Sequence, residues 1–226
     1  MTDDLMNWTN RRSPRLEDGA GRWVRIAPAD FARDGGDLFA ALGGPGNDDL
    51  WRYIPVGPFE SAGALSTLMA AACDRHDWRM HVIRDAASGT ALGMAGYMRI
   101  RPEHGSAEVG CIVLSKALQR TRAATEAMYL MARHIFDDLG YRRYEWKCND
   151  ANAASKRAAL RLGFTPEGVF RQDMVVKGDN RDTAWFSMLD REWPRVKSAF
   201  EAWLDPENFD PDGRQRRSLA SCRQTA

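Results

Sequence analysis

The sequence predicts an α/β fold of the α+β class, in which helices flank one mostly antiparallel central sheet of about six to seven strands. The apolar pattern changes repeatedly between the two-residue period of strands and the helical period. The resulting order is a strand, two helices, three strands joined by tight turns, a long helix, a strand, a short helix and two strands. Tight turns join antiparallel strands, so this order is not that of a doubly wound parallel sheet.

The first half of the chain supplies one strand, two helices and a three-strand meander. Residues 22–27 alternate as a strand, and Asp30 and Ser61 are N-cap residue types placed before helical apolar patterns. The aromatic segment 51–59 contains two prolines, which indicates an ordered loop. The strands of the meander are predicted at 78–84, 91–100 and 107–114.

The second half begins with a long helix over 121–139, which has one apolar face and ends at Gly140. A KGDNR turn at 177–181 is typical of a hairpin between two strands. The remaining elements are a strand at 142–148, a short helix at 152–162, hairpin strands at 164–176 and 182–189, and an amphipathic helix at 192–204.

These elements are predicted to form one domain over residues 22–204, a usual length for a single core. Residues 1–21 are polar and form an arm that is either loose or docked on the domain. Residues 205–226 are too polar to fold alone and are predicted to form a disordered tail.

Charge and composition argue against several classes of protein. The 32 basic and 31 acidic residues give a formal net charge of +1, so we expect no nucleic-acid or membrane partner. No apolar run approaches the ~20 residues of a membrane span, and the N-terminus lacks the features of a secretory signal. The four cysteines form no CxxC pair and have no histidine at metal-ligand spacing, so we expect no metal and a cytoplasmic location.

The junction of the third meander strand with the long helix is a candidate anion site. A helix N-terminus presents unpaired N–H groups and the positive end of the helix dipole. Gln119, Arg120 and Arg122 add side-chain donors there. An ordinary strand-to-helix turn with solvated arginines accounts for the same residues, and spacing alone favours that ordinary turn.

Taken together and in order, five segments resemble the GNAT superfamily of N-acyltransferases, and within it the RimJ/RimL-like branch of ribosomal-protein N-terminal acetyltransferases. The likeness covers about residues 22–190. The segments are WRYIPVGPF at 51–59, AEVGCIVLS at 107–115, LQRTRAATEA at 118–127, an N-x-x-S-(x)6-L-G-F pattern at 152–164 and the hairpin at 170–189. The resemblance implies acetyl transfer from acetyl-CoA (coenzyme A) to a small-molecule amine or a protein N-terminus, by a monomer or a homodimer.

The resemblance also assigns the residues that hold coenzyme A. The family's phosphate loop, Q/R-x-x-G-x-G/A, matches at Gln119 and Ala124, but Arg122 stands at the glycine position and either points outward or contacts phosphate. The edge of the preceding strand pairs with the pantetheine arm. The implied set is Val113, Leu114, Ser115, Gln119, Arg120, Thr121, Arg122, Ala123, Ala124, Thr125, Asn152 and Ser155.

Three catalytic roles follow from the same resemblance. Glu108 lies at the position of a general base, although a strand glutamate paired with a neighbouring arginine is an equally good interpretation. The backbone N–H of Leu114 is the expected oxyanion donor. Ser155 is expected to assist the departing thiolate, because Ala159 stands where many relatives have a tyrosine.

Trp51 and Tyr53 are the aromatic side chains that we expect in the acceptor pocket. Two other functions stay open. The first is a coenzyme-binding or protein-interaction module without turnover, which Arg122 and Ala159 favour. The second is a transferase that uses aminoacyl-tRNA, which the balanced charge disfavours.

Overall fold

In a computed structural model that describes residues 5–224, eight strands form one sheet with the order β1-β2-β3-β4-β5-β6-β8-β7. Neighbouring strands are antiparallel except β5 and β6, which are parallel. The strands are β1 Gly19–Ala20, β2 Val24–Pro28, β3 Arg79–Asp85, β4 Ala91–Arg101, β5 Ser106–Leu114, β6 Arg143–Asn149, β7 Thr165–Val176 and β8 Asp179–Leu189. The predicted fold class is confirmed, but the predicted strand number is too low because β1 is a short strand within the polar arm.

Six α-helices accompany the sheet within the described residues. They are α1 Phe31–Leu42, α2 Ala62–His76, α3 Arg122–Arg133, α4 Ala153–Leu162, α5 Trp193–Leu204 and α6 Leu219–Gln224. Asp30 and Ser61 cap α1 and α2 as predicted, each accepting backbone N–H bonds through its side chain. The long predicted helix continues beyond α3 as a π-helical turn, His134–Asp138.

Two apolar cores lie on opposite faces of the sheet. Because side chains alternate along a strand, adjacent residues such as Val82 and Ile83 belong to different cores. One core joins α1 and α2 to β3, β4 and β5. The other joins α3 and α5 to the opposite face of the sheet and includes residues of β6 and β8. Helices α1 and α2 therefore cover only part of their face of the sheet.

A β-bulge bends the central strand β5. Two residues of β5, Cys111 and Ile112, face the single residue Ala95 of β4. Cys111 has a φ of 46°, a left-handed value that is uncommon for a residue with a side chain. A bulge kinks its strand and increases the local twist, so it turns the end of β5 away from a straight course.

The parallel pairing of β5 with β6 is short. It runs from Ser106 opposite Arg143 to Val109 opposite Trp146, and no pair follows. Residues 110–114 of β5 are therefore bonded to β4 on one side and have no strand partner on the other. The sheet is split open at this end, next to the bulge.

The N-terminal arm is docked on the domain. Trp8 Nε1 and Arg11 Nε donate to backbone carbonyls of the loops after β4 and after the π-helical turn, at 2.8 and 3.0 Å. Glu126 on α3 is buried, and its carboxylate accepts three successive backbone N–H groups at 2.7 to 3.0 Å, from Arg22, Trp23 and Val24. The segment that follows the arm is thus tied to the same helix whose N-terminus was predicted to bind an anion.

The predicted disorder of the C-terminal tail is wrong for the residues that the structure describes. Phe209, Leu219 and Cys222 are buried in the core beside α5, and the ring of Phe209 lies 5.1 Å from that of Trp203. Asn208 is buried and its side chain bonds to the backbone on both sides of the turn. The average composition of the segment is polar, but Phe209, Leu219 and Cys222 are buried in the core that contains α5, which a composition argument does not detect.

We predict that the tail contributes to the stability of the whole domain. Leu219 is 1% exposed, so Leu219→Ala should lower the free energy of unfolding by about 2–4 kcal/mol through lost burial and a cavity. Leu68→Ala on α2 is the matched control, because Leu68 is 53% exposed and should change stability by less than about 1 kcal/mol. The measurement is chemical denaturation of both variants. Equal effects would show that the tail does not pack as described.

Candidate active site

Two helix N-termini meet the open end of the sheet. Strand β5 leads into α3 and strand β6 leads into α4. Because β5 and β6 are parallel, both helices begin at the same edge of the sheet, where the two strands separate. The candidate site consists of this split, the two helix N-termini and the charged side chains that lie on β4, β5 and β6.

The turn before α3 holds free backbone donors. Thr121 is the N-cap, and its Oγ1 accepts from the N–H of Ala124 at 3.1 Å and donates to the carbonyl of Leu118 at 2.6 Å. Among the described residues, the N–H groups of Arg120, Arg122 and Ala123 have no hydrogen-bond partner. Free donors at the positive end of a helix dipole suit a phosphate group.

Arg122 lies outward from this turn. Its guanidinium is 4.6 Å from the ring of Phe209 in the tail and 5.3 Å from the ring of Trp23, just before β2. Of the two orientations that the sequence left open, the structure has the outward one. The side chain therefore packs on Trp23 and on the tail, and the backbone N–H of Arg122 keeps its place at the helix terminus.

The other predicted coenzyme residues mainly shape the strand edge and the turn. Val113 is buried in the core, and Ser115 binds back to β4 through its N–H, 2.9 Å from the carbonyl of Leu92. Gln119 Nε2 donates to the carbonyl of Leu114 at 3.0 Å and so holds the turn against the strand. The side chains of Val113, Ser115 and Gln119 all contact other parts of the protein. A ligand at this edge would therefore contact mainly their backbone. Ala123, Ala124 and Thr125 form the first turn of α3.

The N-terminus of α4 brings two predicted residues together. Asn152 caps the helix, and its side chain accepts from the N–H of Ser155 at 3.0 Å. Ser155 Oγ accepts from Nε1 of Trp146 on β6 at 3.0 Å, and this bond fixes the position of the hydroxyl group. Ala159 is fully buried in the core, where the larger ring of a tyrosine would need a different packing.

Glu108 and Glu145 are register partners on β5 and β6, and each is 2% exposed. Lys147 Nζ lies 3.3 Å and Arg99 Nε 3.8 Å from Glu108 Oε2. Burial raises the pKa of Glu108 to about 7, although the charges of Lys147 and Arg99 act in the opposite direction. Glu108 is thus buried beside the split with a pKa near neutrality, as a general base requires.

Glu145 differs from Glu108 in its partners. Its Oε1 accepts from Arg101 Nη2 at 2.8 Å and from Arg143 Nε at 2.7 Å. Hydrogen bonds between a guanidinium and a carboxylate are among the stronger ones in proteins. Glu145 is therefore held in place by two arginines, whereas Glu108 has no such close contact with an arginine.

A groove of about 740 Å³ lies on the face of the sheet beside these carboxylates. Its walls come from β4, β6, β7 and β8 and include the rings of Phe170 and Trp185, whose centroids are 5.0 Å apart. Its charged lining consists of Arg99, Arg101, His104, Arg142, Arg143, Glu145, Glu167 and Asp173. The groove is large enough for a small organic ligand.

The prediction that Trp51 lines an acceptor pocket is contradicted by its position. Trp51 is fully buried, its Nε1 donates to the carbonyl of Leu42 at 2.8 Å, and Phe59 packs edge-on against its ring. Tyr53 is only partly buried, and its hydroxyl lies 3.4 Å from the carbonyl of Ala151, next to the start of α4. Only Tyr53 of the two aromatics is thus placed near the split.

Sequence reasoning missed the cationic neighbours of Glu108. The alternation in β6 places Arg143, Glu145 and Lys147 on one face, which was a readable signal of a charged surface within a central strand. Arg99 could not be found in this way, because it has a φ of 46° at a second irregularity, in β4. Such a bulge changes which way a side chain points relative to the regular alternation.

Metal ligands and membrane spans were both expected to be absent. No group of three or more His, Cys, Asp or Glu side chains in the described part of the chain could hold a metal ion. No helix between residues 5 and 224 is long and apolar enough to cross a membrane.

Comparison with known proteins gives consistent matches. A family model described as "Acetyltransferase (GNAT) domain" matches residues 26–165. The crystal structure of a GCN5-related N-acetyltransferase from Brucella melitensis is 43% identical, with a TM-score of 0.92, over 97% of this chain and 100% of that one.

Two curated relatives come from Bacillus subtilis (strain 168). "Uncharacterized N-acetyltransferase YoaA" is 27% identical over 147 residues, which cover 63% of this chain and 82% of the relative. "Putative ribosomal N-acetyltransferase YdaF" is 27% identical over 109 residues, 48% of this chain and 59% of the relative.

The burial of Glu108 predicts a pH-dependent stability difference. Because the fold raises the pKa of Glu108 from 4.5 to about 7, folding favours the protonated form. The wild type should therefore lose stability relative to Glu108→Gln as the pH rises from about 4.5 to above 7, since only the wild type must ionise a buried group.

The measurement is the melting temperature of both proteins at pH 5 and pH 8. Glu103→Gln serves as the control, because the side chain of Glu103 is 52% exposed and should show no such difference. If the melting temperatures of Glu108→Gln and the wild type differ by the same amount at pH 5 and pH 8, Glu108 does not titrate in this range.

Proposed function

Since this chain belongs to the GNAT acetyltransferase family, we propose that it transfers the acetyl group of acetyl-CoA to a primary amine by direct attack in a ternary complex. The acceptor is a small-molecule amine or a protein N-terminus. The observation that carries the proposal is the position of the split between β5 and β6, which lies between the free N–H groups before α3 and the buried carboxylate of Glu108.

Family membership and fold agree with the resemblance found in the sequence. The match to a relative named for ribosomal N-acetyltransfer agrees with the predicted RimJ/RimL-like branch. That name describes the relative. For this chain, a protein N-terminus is one of the acceptors that the proposal includes.

The residues fit coenzyme A at two places. The free N–H groups of Arg120, Arg122 and Ala123 suit the diphosphate, because they combine unpaired donors with a helix N-terminus. The open edge of β5 at residues 110–114 suits the amide-bearing pantetheine arm, which would add to the sheet as a short strand does. Acetyl-CoA supplies the acetyl group as a thioester, which is activated toward amines.

The chain's own residues supply the proton transfers. Glu108 takes a proton from the acceptor ammonium, directly or through one water, and so produces the neutral amine. The acceptor nitrogen then bonds to the acetyl carbon as the carbon–sulfur bond breaks. The N–H of Leu114 stabilises the negative charge that develops on the acetyl oxygen. The proton that the nitrogen loses as the amide forms passes, through Ser155 or water, to the departing thiolate. Orientation of both reactants in one site supplies much of the rate.

The two features that favoured an inactive module are both compatible with turnover. Arg122 replaces a glycine, but its guanidinium lies over the rings of Trp23 and Phe209, and the N–H of residue 122 stays available. Ala159 belongs to the core, and Ser155 lies at the N-terminus of α4, where a donor to the thiolate is needed. We therefore favour an active transferase.

The anion site gives a test in which backbone and side chain are separated. Arg122→Pro removes the N–H of residue 122, yet proline is well tolerated at the first position of a helix, and Thr121 has the extended backbone that proline requires before it. Arg122→Ala keeps the N–H and removes only the guanidinium. A hydrogen bond to a charged group contributes roughly 1.5–3 kcal/mol, so Arg122→Pro should weaken acetyl-CoA binding about tenfold or more.

Calorimetric titration with acetyl-CoA measures this effect, and thermal stabilisation by the ligand provides a second readout. Arg122→Ala should bind within about threefold of the wild type. If Arg122→Ala binds as weakly as Arg122→Pro, or if Arg122→Pro binds normally, the N–H groups are not the phosphate site.

The base assignment predicts the pH dependence of turnover. Because the charged form of Glu108 is the active base, kcat/KM should rise with pH and level off above about 7. Glu108→Gln should lower turnover by roughly 10²-fold or more and remove the inflection near pH 7. The exposed control Glu103→Gln should keep both the rate and the profile. Retention of the wild-type profile in Glu108→Gln would assign the base to another group.

A further inference from the structure

Four buried polar atoms without hydrogen-bond partners lie together beside the groove. They are two acceptors, Glu108 Oε2 and Glu145 Oε2, and two donors, Arg101 Nε and Trp185 Nε1. A buried polar atom that lacks a hydrogen bond destabilises the protein. Glu108 Oε2 has only ion-pair contacts, with Lys147 at 3.3 Å and Arg99 at 3.8 Å. A ligand that brings both a donor and an acceptor would satisfy this set better than a ligand that brings only one of them.

Arg99 covers this set of atoms. Its Nε is 3.8 Å from Glu108 Oε2 and 3.8 Å from Glu145 Oε2, and its guanidinium is 4.9 Å from the ring of Trp185. Its side chain is 44% exposed, and no hydrogen bond to another described residue holds it. Arg101 and Arg143, by contrast, are hydrogen-bonded to Glu145 at 2.8 and 2.7 Å. Arg99 is therefore better able to move than Arg101 or Arg143.

An acceptor amine must reach Glu108 Oε2, which has Lys147 Nζ at 3.3 Å and Arg99 Nε at 3.8 Å. Arg99 is the more exposed of these two cations, at 44% against 19% for Lys147. If the acceptor were a simple cation, it would displace the guanidinium of Arg99 from the two carboxylates and offer it no anion in exchange. Separating a charge from its partner near a buried site is costly. An acceptor that also carries an anion avoids this cost, because its amine replaces Arg99 between the carboxylates while its anion binds Arg99.

We propose that Arg99 selects acceptors that carry an anionic group a few bonds from the reacting amine, and this inference rests on the proposed function. The anionic group is a carboxylate or a phosphate. Arg99 is then a specificity residue that touches the acceptor, and the chemical step is unchanged. The anion takes no part in the transfer of the acetyl group or of the proton.

The charge of the groove agrees with this acceptor class. Four arginines and one histidine line the groove, against three carboxylates. Such a lining attracts anions and disfavours polycations at long range. A neighbour in fold is a spermidine N-acetyltransferase from Vibrio cholerae, at 18% identity and a TM-score of 0.62, which establishes the shared fold alone. For this chain the groove argues against a polyamine as the preferred acceptor.

The test compares acceptors in matched pairs that differ only in the anion. The pairs are serine and serinamide, the amidated dipeptides Ser-Glu and Ser-Gln, and phosphoethanolamine and ethanolamine. These three pairs distinguish an α-carboxylate, a side-chain carboxylate and a phosphate as the source of the anion. Spermidine is added as the polycation, and kcat/KM with acetyl-CoA is measured for each.

Arg99→Met removes the charge and keeps a side chain of similar length. We expect at least a tenfold loss of kcat/KM for the anionic member of the preferred pair and less than threefold for its neutral partner. Arg99→Lys should restore part of the preference. The matched control is Arg25→Met on β2, because Arg25 is 63% exposed and lies outside the groove lining.

The decisive quantity is the ratio of kcat/KM for the anionic acceptor to kcat/KM for its neutral partner. Loss of Arg99 also changes the field at Glu108, but that change affects both members of a pair alike. An equal loss for both members, or a wild type that prefers spermidine to every anionic acceptor, would overturn the acceptor class and leave the acetyltransferase proposal standing. A wild type that binds no acetyl-CoA and acetylates none of these amines would instead overturn the proposed function and this inference with it.

Discussion

The early end of the pairing between β5 and β6 is the constraint on which the rest of the site depends. After Val109 and Trp146 the two parallel strands share no further pair, and the bulge at Cys111 lies immediately beyond. A continuous sheet would hide the backbone of residues 110–114 and close the path between the helix N-termini and Glu108. The split exposes a backbone edge in the centre of an otherwise fully paired sheet, where it is rigidly supported on its other side by β4.

The buried carboxylates just before that split are tolerated because cationic side chains surround them. Glu108 and Glu145 face each other across β5 and β6, and the cationic groups around them come from β4 and β6. Glu145 takes the two close guanidinium bonds, and the cationic contacts of Glu108 are longer. Burial therefore raises the pKa of Glu108 to about 7 in spite of these contacts.

Much of the fold was predictable because it follows from local patterns. The caps at Asp30, Ser61 and Asn152 and the strand periods gave most of the element boundaries to within a few residues. The tail was not predictable, because Phe209 and Leu219 are isolated apolar residues whose burial depends on α5. Within the site, Glu108 and the turn at Gln119 to Thr125 could be named by resemblance. Trp51 was misplaced, since an aromatic side chain in a loop is equally suited to a core.

The arrangement of the two faces shows why the acceptor groove is open. Helices α3 and α5 pack on one face of the sheet, whereas α1 and α2 on the other reach only β3, β4 and β5. On that second face β6, β7 and β8 have no helix of the described residues above them, so the side chains there can be charged. Lys147, Glu167 and Trp185 lie in this uncovered region, and the bulge at Arg99 turns a cation toward them. The part of this face under α1 and α2 therefore belongs to the core, and the uncovered part is free to bind the acceptor. Glu108 lies at the border between the two parts.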